Sequence, residues 1–415
     1  MLNMKPPRIY IHKSVYDDEK AIRRLDRIMT CIQTDNIDIV NDENLAFAVE
    51  ENNWLDMSSK RTGELKREND PIMIFNTFRF LPEEEFKKLN RIYPSLSAYH
   101  LLGTGPYTFR NSSTFGNGVC KSAYEIHSAW GCYHACDYCH VKDFVNIMLN
   151  LEDFVEYINP LIKREKQQLY KYDNQTDTIC FEPEYGASEL LVNYFARQKD
   201  KYLMLYTKSD NIEHLLELDH AGHTIINWTL SCETVAEKIE KKAPSMDQRI
   251  HAAELCQKAG YTVRFRFSPI IPIKNWRDEN AEMIKRMFSK VKPDLITMDV
   301  LGWMSADQIV NSMDIFLFDD KYRQVVEEMA GDNVRRIENS PKQIFPHNLR
   351  LEIYNFFLNE IQKINENIPI AICMETHKMW KELSIKLGMN KENYICCCGP
   401  VSVPGNPMFS SNSVV

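Results

Sequence analysis

The feature that most constrains the fold of this chain is a regular alternation of apolar runs and helical patterns in its second half. The strand-like runs cover residues 178–183, 202–208, 224–232, 261–271 and 295–303. The helical patterns between them cover residues 188–198, 211–218, 246–260 and 279–291. This alternation predicts βαβ units with parallel strands, and the dense apolar runs indicate strands covered on both faces. We therefore predict a partial or complete α/β barrel whose site lies at the carboxyl ends of its strands.

Composition and charge narrow the class of protein. The chain has 415 residues, of which 44% are hydrophobic and 26% charged, which is ordinary globular composition and excludes a mostly disordered chain. No window approaches the roughly 18 apolar residues that a membrane helix needs, and the N-terminal residues contain no apolar signal region. We expect a cytoplasmic protein with no membrane partner. The net charge of −8 argues against nucleic-acid binding by overall charge and leaves a local basic channel open.

Three of the twelve cysteines, Cys132, Cys136 and Cys139, follow the spacing C-x3-C-x2-C within the segment AWGCYHACDYCHVK. Thiolates are soft ligands that select zinc, copper(I) or an iron–sulfur cluster. A fully ligated [4Fe–4S] cluster takes four cysteines, so three leave one iron open for a cofactor or substrate. The alternative is a zinc site completed by His134 or His140. Tyr138, directly before the last cysteine, offers an aromatic wall to an adenine ring.

Several colinear segments resemble the spore photoproduct lyase family of radical S-adenosylmethionine (SAM) enzymes. The segment GCYHACDYCHV resembles the cluster loop of that family, and FVNIMLNLEDF resembles the strand and helix that follow it. Similar stretches are YLMLYTKSDNIEHLLELDHAGHT, the long segment from Lys238 to Trp276, RIYIHKSVYDDEKA and ICMETHKMWKEL. The resemblance spans roughly residues 8–385, with an apparent insertion at about 81–120.

The resemblance implies an α/β fold with a partial (β/α)6-type radical SAM barrel, an N-terminal α/β extension and a C-terminal helical and loop extension. The expected units are an N-terminal α/β region (1–120), the barrel core (121–310), a C-terminal region covering the substrate (311–400) and a flexible tail (401–415).

The resemblance also implies a cofactor set. Cys132, Cys136 and Cys139 would ligate a [4Fe–4S] cluster whose fourth iron binds SAM, and flavodoxin or ferredoxin would supply the electron. Lys208 falls where the family places a lysine against the SAM carboxylate, Ser231 matches a SAM-contacting serine, and Ser188 approximates another.

Further residues are candidates by position alone. Glu184, like Glu182, lies at the end of a strand-like run and is a candidate for binding the ribose hydroxyls or the SAM amine, with helix capping as the alternative.

Two departures from the family pattern concern the reaction. Tyr185 stands where the family has a hydrogen-donating cysteine, and His140 stands where it has a relay tyrosine. Three adjacent thiols, Cys396 to Cys398, occur near the C-terminus, and our hypothesis is that Cys398 or a neighbour replaces the missing donor; a second cluster or a loosely packed turn are the alternatives.

The sequence therefore predicts a radical SAM enzyme acting on a nucleobase, nucleotide or nucleic acid. The alternatives are a radical SAM enzyme that modifies a peptide or small metabolite, and a non-catalytic zinc-binding protein.

Overall fold

The computed structural model describes residues 3–52, 60–66, 69–93, 109–110, 119–141, 144–331 and 343–409. Most of the insertion at about 81–120 and the end of the expected tail lie outside these residues. The described strands are β1 (Ile9–His12), β2 (Ile37–Val40), β3 (Ile72–Asn76), β4 (Phe109–Arg110), β5 (Tyr124–Ile126), β6 (Ala129–Trp130), β7 (Phe144–Met148), β8 (Leu169–Tyr172), β9 (Tyr202–Thr207), β10 (Thr224–Thr229), β11 (Thr262–Ile270), β12 (Ile296–Val300) and β13 (Ile370–Ile372).

The described helices follow the strands singly or in runs of two or three. They are α1 (Glu19–Met29), α2 (Asp42–Glu51), α3 (Glu83–Asn90), α4 (Leu151–Arg164), α5 (Ala187–Ala196), α6 (Glu233–Lys238), α7 (Met246–Lys258), α8 (Trp276–Lys290), α9 (Ala306–Ser312), α10 (Asp320–Met329), α11 (His347–Ile364) and α12 (His377–Leu387). Among the described residues, no helix combines the length and the apolar character needed to cross a bilayer.

The larger of the two described sheets is a curled half-barrel. Its strand order is β13-β12-β11-β10-β9-β8-β5-β4, and its pairs are parallel except the pair of β4 with β5. Helix α7 begins with a capping box at Ser245, whose side chain accepts a hydrogen bond from the amide of Gln248. The predicted partial barrel is confirmed.

The second described sheet has the order β2-β1-β3-β7-β6 and is parallel except at β6. It forms the expected N-terminal α/β extension, yet it takes β6 and β7 from the chain beyond residue 120. The residue-by-residue division into four units stays a prediction.

The two faces of the half-barrel differ in polarity because successive strand residues point to opposite sides. Leu205, Ile226 and Val263 are in register and form part of a buried apolar face. One residue further along each strand, a polar row of Tyr206, Asn227 and Arg264 lies on the opposite face. This polar face is where the chain can present charged and thiol groups.

The local predictions were wrong in two places. Residues Thr178–Phe181 form a 3-10 turn instead of a strand, and only Glu213–Leu215 of the predicted helix at 211–218 is helical, again as a 3-10 turn. Strand β8, with the sequence LYKY, was not predicted because Lys171 interrupts its apolar pattern, although that lysine is buried. Short apolar runs do not distinguish a strand from a buried turn by periodicity alone.

Candidate metal and cofactor site

The three clustered cysteines lie on one loop, residues 131–141, which we call the cluster loop and which joins β6 to β7. The loop begins at Gly131, whose φ is +91° and where an added Cβ would overlap the backbone of Phe144. Only glycine suits such a left-handed position with so close a backbone approach. Cys136 is buried, and Cys132 and Cys139 are half-buried. The thiols are thus enclosed by the protein at the boundary between the two sheets.

Backbone hydrogen bonds attach the cluster loop to the barrel side. The Gly131 amide donates to the Gln175 carbonyl (3.1 Å). The Asp137 amide donates to the Ile239 carbonyl (2.9 Å), and the Lys242 amide donates to the His134 carbonyl (3.0 Å). These bonds fix the loop against the segment that follows β8 and the segment that follows α6.

The N-terminal region attaches the cluster loop from the other side. The Thr62 amide donates to the Cys139 carbonyl (2.8 Å), and the Gly63 amide donates to the Asp137 carbonyl (3.1 Å). The Thr62 hydroxyl also donates to the Val141 carbonyl (2.7 Å). The conformation of the thiol-bearing loop therefore depends on a segment about 70 residues earlier in the chain.

His134 is fixed by a buried carboxylate. Its Nε2 lies 2.8 Å from Asp177 Oδ2, and its Nδ1 lies 3.2 Å from the Lys242 carbonyl oxygen. Asp177 also accepts hydrogen bonds from the Thr207 hydroxyl (2.9 Å) and the Lys208 amide (2.7 Å). Burial opposes the charge of Asp177, but the bonds from His134 and the backbone hold its pKa below the usual value. Asp177 thus connects the cluster loop to the end of β9.

The distances bear on the zinc alternative. Among the described residues, the three ligating side chains whose ligand atoms lie within 4.8 Å of one another are His134, Asp177 and Cys180. The three sulfur atoms of the cluster loop do not form such a group, whereas sulfurs on one tetrahedral zinc lie about 3.8 Å apart. Both ring nitrogens of His134 already have partners. A single zinc ion at this loop would therefore require the three sulfur atoms to move closer together.

Three predicted SAM-binding residues meet at one carboxylate that the sequence analysis missed. The Tyr138 hydroxyl donates to Glu240 Oε1, and the Ser231 hydroxyl donates to the same oxygen (3.2 Å). Lys208 Nζ lies 3.8 Å from Glu240 Oε1 and 5.7 Å from the centroid of the Tyr138 ring. Arg249 Nη1 lies 2.6 Å from Glu240 Oε2. We call Tyr138, Lys208, Ser231, Glu240 and Arg249 the Glu240 site.

The charges of the Glu240 site do not balance. Burial raises the pKa of Glu240, but Arg249 and Lys208 outweigh it, so the net pKa is below the usual value. Burial lowers the pKa of Lys208, and the neighbouring Cys136 and Glu240 raise it to a net value above normal. Two cations thus face one carboxylate, and Arg249 Nη2 is buried without a hydrogen-bond partner among the described residues. An anionic ligand would supply the missing partner.

Two thiols of the cluster loop, those of Cys132 and Cys136, favour the protonated form without a metal. Burial, followed by the charges of Asp177 and Cys139, raises the pKa of Cys132 to about 12. Burial raises the pKa of Cys136 as well. Metal binding at this loop would therefore release protons, because only thiolates ligate.

Other predicted site residues have partners elsewhere. The Ser188 hydroxyl lies 3.0 Å from His214 Nε2, and its amide donates to Glu182 Oε1 (2.7 Å). The Glu184 side chain shares a hydrogen bond with that of Cys31. The hydrogen bonds of Ser188 are therefore made with residues outside the Glu240 site.

The residues expected to move hydrogen atoms are also dispersed. Tyr185 is fully buried, and its hydroxyl oxygen lies 2.9 Å from the Met148 carbonyl oxygen, to which it can donate, and 2.8 Å from the Ser128 hydroxyl. His140 is exposed at the end of the cluster loop. Cys398 is buried against the polar face of the half-barrel, where the Ala123 amide donates to its carbonyl (2.7 Å).

The signal for the missed residues was weak in the sequence. Glu240 is the acidic residue within KIEKK, and Asp177 precedes a run that resembled a strand. Neither carries a spacing that indicates a ligand. Their role becomes visible only when the fold brings residues about 100 positions apart, such as Tyr138 and Glu240, into contact.

Comparisons with known proteins identify one family that this chain resembles. The family model described as spore photoproduct lyase matches residues 106–304. The spore photoproduct lyase of Clostridium acetobutylicum is 24% identical over 194 residues, covering 44% of this chain and 58% of that protein. That of Bacillus subtilis is 21% identical over 194 residues, covering 45% of this chain and 57% of that protein. The match thus spans somewhat over half the length of these curated relatives.

Solved structures support the fold. A spore photoproduct lyase complexed with dinucleoside spore photoproduct covers 89% of this chain and 98% of its own, with a TM-score of 0.60 and 15% identity. A spore photoproduct lyase variant with bound AdoMet and dinucleoside spore photoproduct has the same coverage and TM-score at 14% identity. The resemblance to the spore photoproduct lyase family is confirmed.

Proposed function

We propose, from this similarity to spore photoproduct lyases, that the chain is a radical SAM enzyme acting on a nucleobase, nucleotide or nucleic-acid substrate. The observation that carries the proposal is the adjacency of the cluster loop and the Glu240 site. Tyr138 belongs to both, since it lies between Cys136 and Cys139 and donates its hydroxyl hydrogen to Glu240. The three thiols of the cluster loop and the buried Glu240 site are therefore adjacent, with Tyr138 common to both.

The thiols of Cys132, Cys136 and Cys139 would hold the [4Fe–4S] cluster. A cluster of this kind, together with SAM, supplies a 5′-deoxyadenosyl radical by reductive cleavage of the sulfonium. The chain contributes the enclosure of the loop and its attachments to Thr62, Ile239 and Gln175. Flavodoxin or ferredoxin would provide the electron, and the cytoplasm would provide the reducing surroundings.

The Glu240 site suits both ends of an amino acid. Lys208 and Arg249 together exceed the charge of Glu240 by one positive unit, which favours a carboxylate. The Glu240 carboxylate favours an ammonium group. The Tyr138 ring and the Ser231 hydroxyl complete the wall on which the zwitterionic part of SAM would lie.

The position of Tyr185 favours the second candidate, a radical SAM enzyme that modifies a peptide or small metabolite. The tyrosine hydroxyl is bonded to the Met148 carbonyl and buried, so it differs from a thiol that donates a hydrogen atom to a product radical. A changed donor allows a changed outcome on the same scaffold.

Anaerobic reconstitution tests the cofactor assignment. We expect the full chain to bind iron and sulfide and to release 5′-deoxyadenosine from SAM when dithionite is added. Replacing Cys132, Cys136 and Cys139 together by alanine should remove about four irons and all 5′-deoxyadenosine release. Cys256→Ala, at a buried cysteine on α7, is the control and should retain both. Zinc in place of iron, or unchanged 5′-deoxyadenosine release, would refute the proposal.

Isotope transfer tests the substrate class. The enzyme would be incubated with dinucleoside spore photoproduct deuterated at C6 of its saturated ring, because a radical at that carbon can release the methylene bridge by β-scission, and the deuterium content of 5′-deoxyadenosine measured. Transfer of deuterium is the expected result. If no nucleoside, nucleotide or oligonucleotide gives transfer or increases SAM cleavage while a peptide or small metabolite does, the second candidate is correct.

A further inference from the structure

Five of the twelve cysteines meet at the polar face of the half-barrel, apart from the cluster loop. Cys396, Cys397 and Cys398 come from the C-terminal region, Cys373 follows β13, and Cys120 precedes β5. We call them the interior thiol group. None of the chain's cysteines, all within the described residues, forms a disulfide. Three chain segments separated by more than 20 residues therefore deliver thiols to one place.

The adjacent cysteines are held rigidly by the barrel strands. The Cys397 amide donates to the Thr297 hydroxyl (2.9 Å), and Arg264 Nη1 donates to the Cys397 carbonyl (3.2 Å). The Cys396 amide donates to the Ser402 hydroxyl (3.2 Å). All three side chains are buried. The expectation of a loosely packed turn at this point was wrong, because the barrel supplies partners for its backbone.

The thiols of the group lie close to one another. Cys398 is close enough to Cys396 and to Cys397 to interact with both electrostatically. Cys120 and Cys398 are both close enough to Cys373 to interact with it electrostatically, and Cys120 interacts in the same way with Cys396. The Tyr206 hydroxyl lies 3.5 Å from Cys397 Sγ. The group is therefore one cluster of sulfur atoms rather than separate packed residues.

Two cations face this cluster. Arg266 Nη2 lies 3.9 Å from Cys373 Sγ and 3.1 Å from Asp299 Oδ1. Lys171 is buried, lies 2.7 Å from Glu125 Oε1, and interacts electrostatically with Cys398 and Cys120. A lone buried cysteine packs as a small apolar residue, but apolar packing does not call for an arginine and a lysine beside five thiols. Cations at such distances stabilise thiolate ligands and the negative charge of the centre they bind.

We propose that the interior thiol group binds a second thiolate-ligated metal centre, separate from that of the cluster loop. The group supplies more thiols than the four that an iron–sulfur cluster takes, so it offers a complete ligand set. The proposal replaces the hypothesis that Cys398 donates a hydrogen atom, because a metal-bound thiolate carries no hydrogen to donate.

The experiment separates the two centres by substitution in the full chain. Cys132, Cys136 and Cys139 are replaced by alanine, the variant is reconstituted anaerobically with iron, sulfide and zinc, and bound metals are measured by elemental analysis. We expect retention of about four irons with sulfide. Retention of about one zinc instead would show that the second thiolate-ligated centre is a zinc site. Adding Cys396→Ser and Cys398→Ser should remove the retained metal, whereas adding Cys256→Ser should not.

Two results would overturn the proposal: a folded cluster-loop variant with no bound metal, or metal retained after the serine substitutions. Circular dichroism reports folding. Should the substituted chains misfold, the unsubstituted enzyme decides the matter by Mössbauer spectroscopy and zinc analysis. We expect the iron signals of the cluster loop to change when SAM is added. The metal of the interior thiol group should give signals that SAM does not change. If every iron signal changes when SAM is added and no zinc is present, the second centre is refuted. The proposed function would remain intact.

Discussion

At the residue scale, Glu240 determines how the charges of the candidate SAM site are arranged. It accepts hydrogen bonds from Tyr138 and Ser231 and pairs with Arg249, all while fully buried. A buried carboxylate surrounded by its partners resists neutralisation, whereas removal of its charge leaves the cations without compensation. Glu240 therefore affects ligand binding through the charge of Lys208 and Arg249 as well as by direct contact.

Glu240→Gln should weaken SAM binding about 10- to 100-fold, the equivalent of losing one charge-assisted hydrogen bond of about 1.5–3 kcal/mol. Iron content should stay unchanged, because Glu240 contacts no thiol in the described set of hydrogen bonds. Equilibrium dialysis with the iron-loaded enzyme measures the affinity. Glu237→Gln, at an exposed neighbour, is the control. Equal affinity in the Glu240 variant and the control would contradict the assignment.

A second prediction at this scale concerns His214, whose ring contacts the Ser188 hydroxyl. Burial lowers the pKa of His214 to about 4. Its pKa in the unfolded chain is about 6.5, so the unfolded state binds the proton more readily between these values. The free energy of unfolding should therefore fall as the pH drops from about 6.5 towards 4, by at most about 1.4 kcal/mol per pH unit from this residue.

His214→Asn should reduce that pH dependence. The measurement is the urea midpoint of the anaerobic enzyme at a series of pH values, compared with His251→Asn, which alters an exposed histidine on α7. Parallel pH profiles for all three proteins would exclude the predicted contribution.

The sequence predicted the residues of the site better than their partners. The sequence predicted the thiol triad, Tyr138, Lys208 and Ser231. The last three of these residues meet at Glu240. Glu240 and Asp177 were not identified because their contacts are set by tertiary structure rather than by spacing. Whether the chosen residues bind the cofactors stays a prediction.

At the element scale, the cluster loop is positioned by contacts from both sheets. The 3-10 turn Thr62–Leu65 packs against it through Gly63, where an added Cβ would overlap the Ser312 carbonyl and reach Asp137. Sequence patterns foresaw the barrel strands but not this turn, because a short polar segment carries no periodicity that shows which loop it contacts. The same limit explains the wrong strand at residues 178–183, where Cys180 lies on a 3-10 turn.

Gly63→Ala should reduce the iron bound at the cluster loop and the yield of 5′-deoxyadenosine. The methyl group would overlap the Ser312 carbonyl and crowd Asp137, so the turn that supports the cluster loop has to shift, at a cost of about 1–3 kcal/mol for overpacking. Iron per chain after reconstitution measures the effect. Gly222→Ala is the control, because its φ of +75° makes alanine strained while open space surrounds the position. Equal iron loss in both variants would indicate general destabilisation instead of a local effect.

At the scale of the whole molecule, Arg24 of α1 joins the two sheets. Its Nη2 lies 3.1 Å from Glu152 Oε1 on α4, its Nε donates to the Tyr185 carbonyl (2.9 Å), and its Nη1 donates to the Leu149 carbonyl. One buried guanidinium thus satisfies two backbone carbonyls and a carboxylate across the layer boundary. Such a residue cannot be removed without leaving buried acceptors unpaired.

Arg24→Met should lower the free energy of unfolding by about 3–5 kcal/mol, the range for breaking a buried ion pair by removing one partner. Arg23→Met is the matched control: the adjacent arginine is 76% exposed and pairs with Glu19, so its loss should change stability by less than about 1 kcal/mol. Urea unfolding of both variants measures the difference. Similar midpoints would show that Arg24 does not hold the layers together.

The attachment of the cluster loop to Thr62 and Gly63 limits how this chain can be divided into shorter fragments. The region that matches known lyases begins at residue 106, so an excised fragment of that region would contain every thiol of the loop without its N-terminal support. Such a minimal piece would expose the carbonyls of Asp137 and Cys139 to water. The N-terminal layer therefore supports the conformation of the cluster loop as directly as the barrel side does.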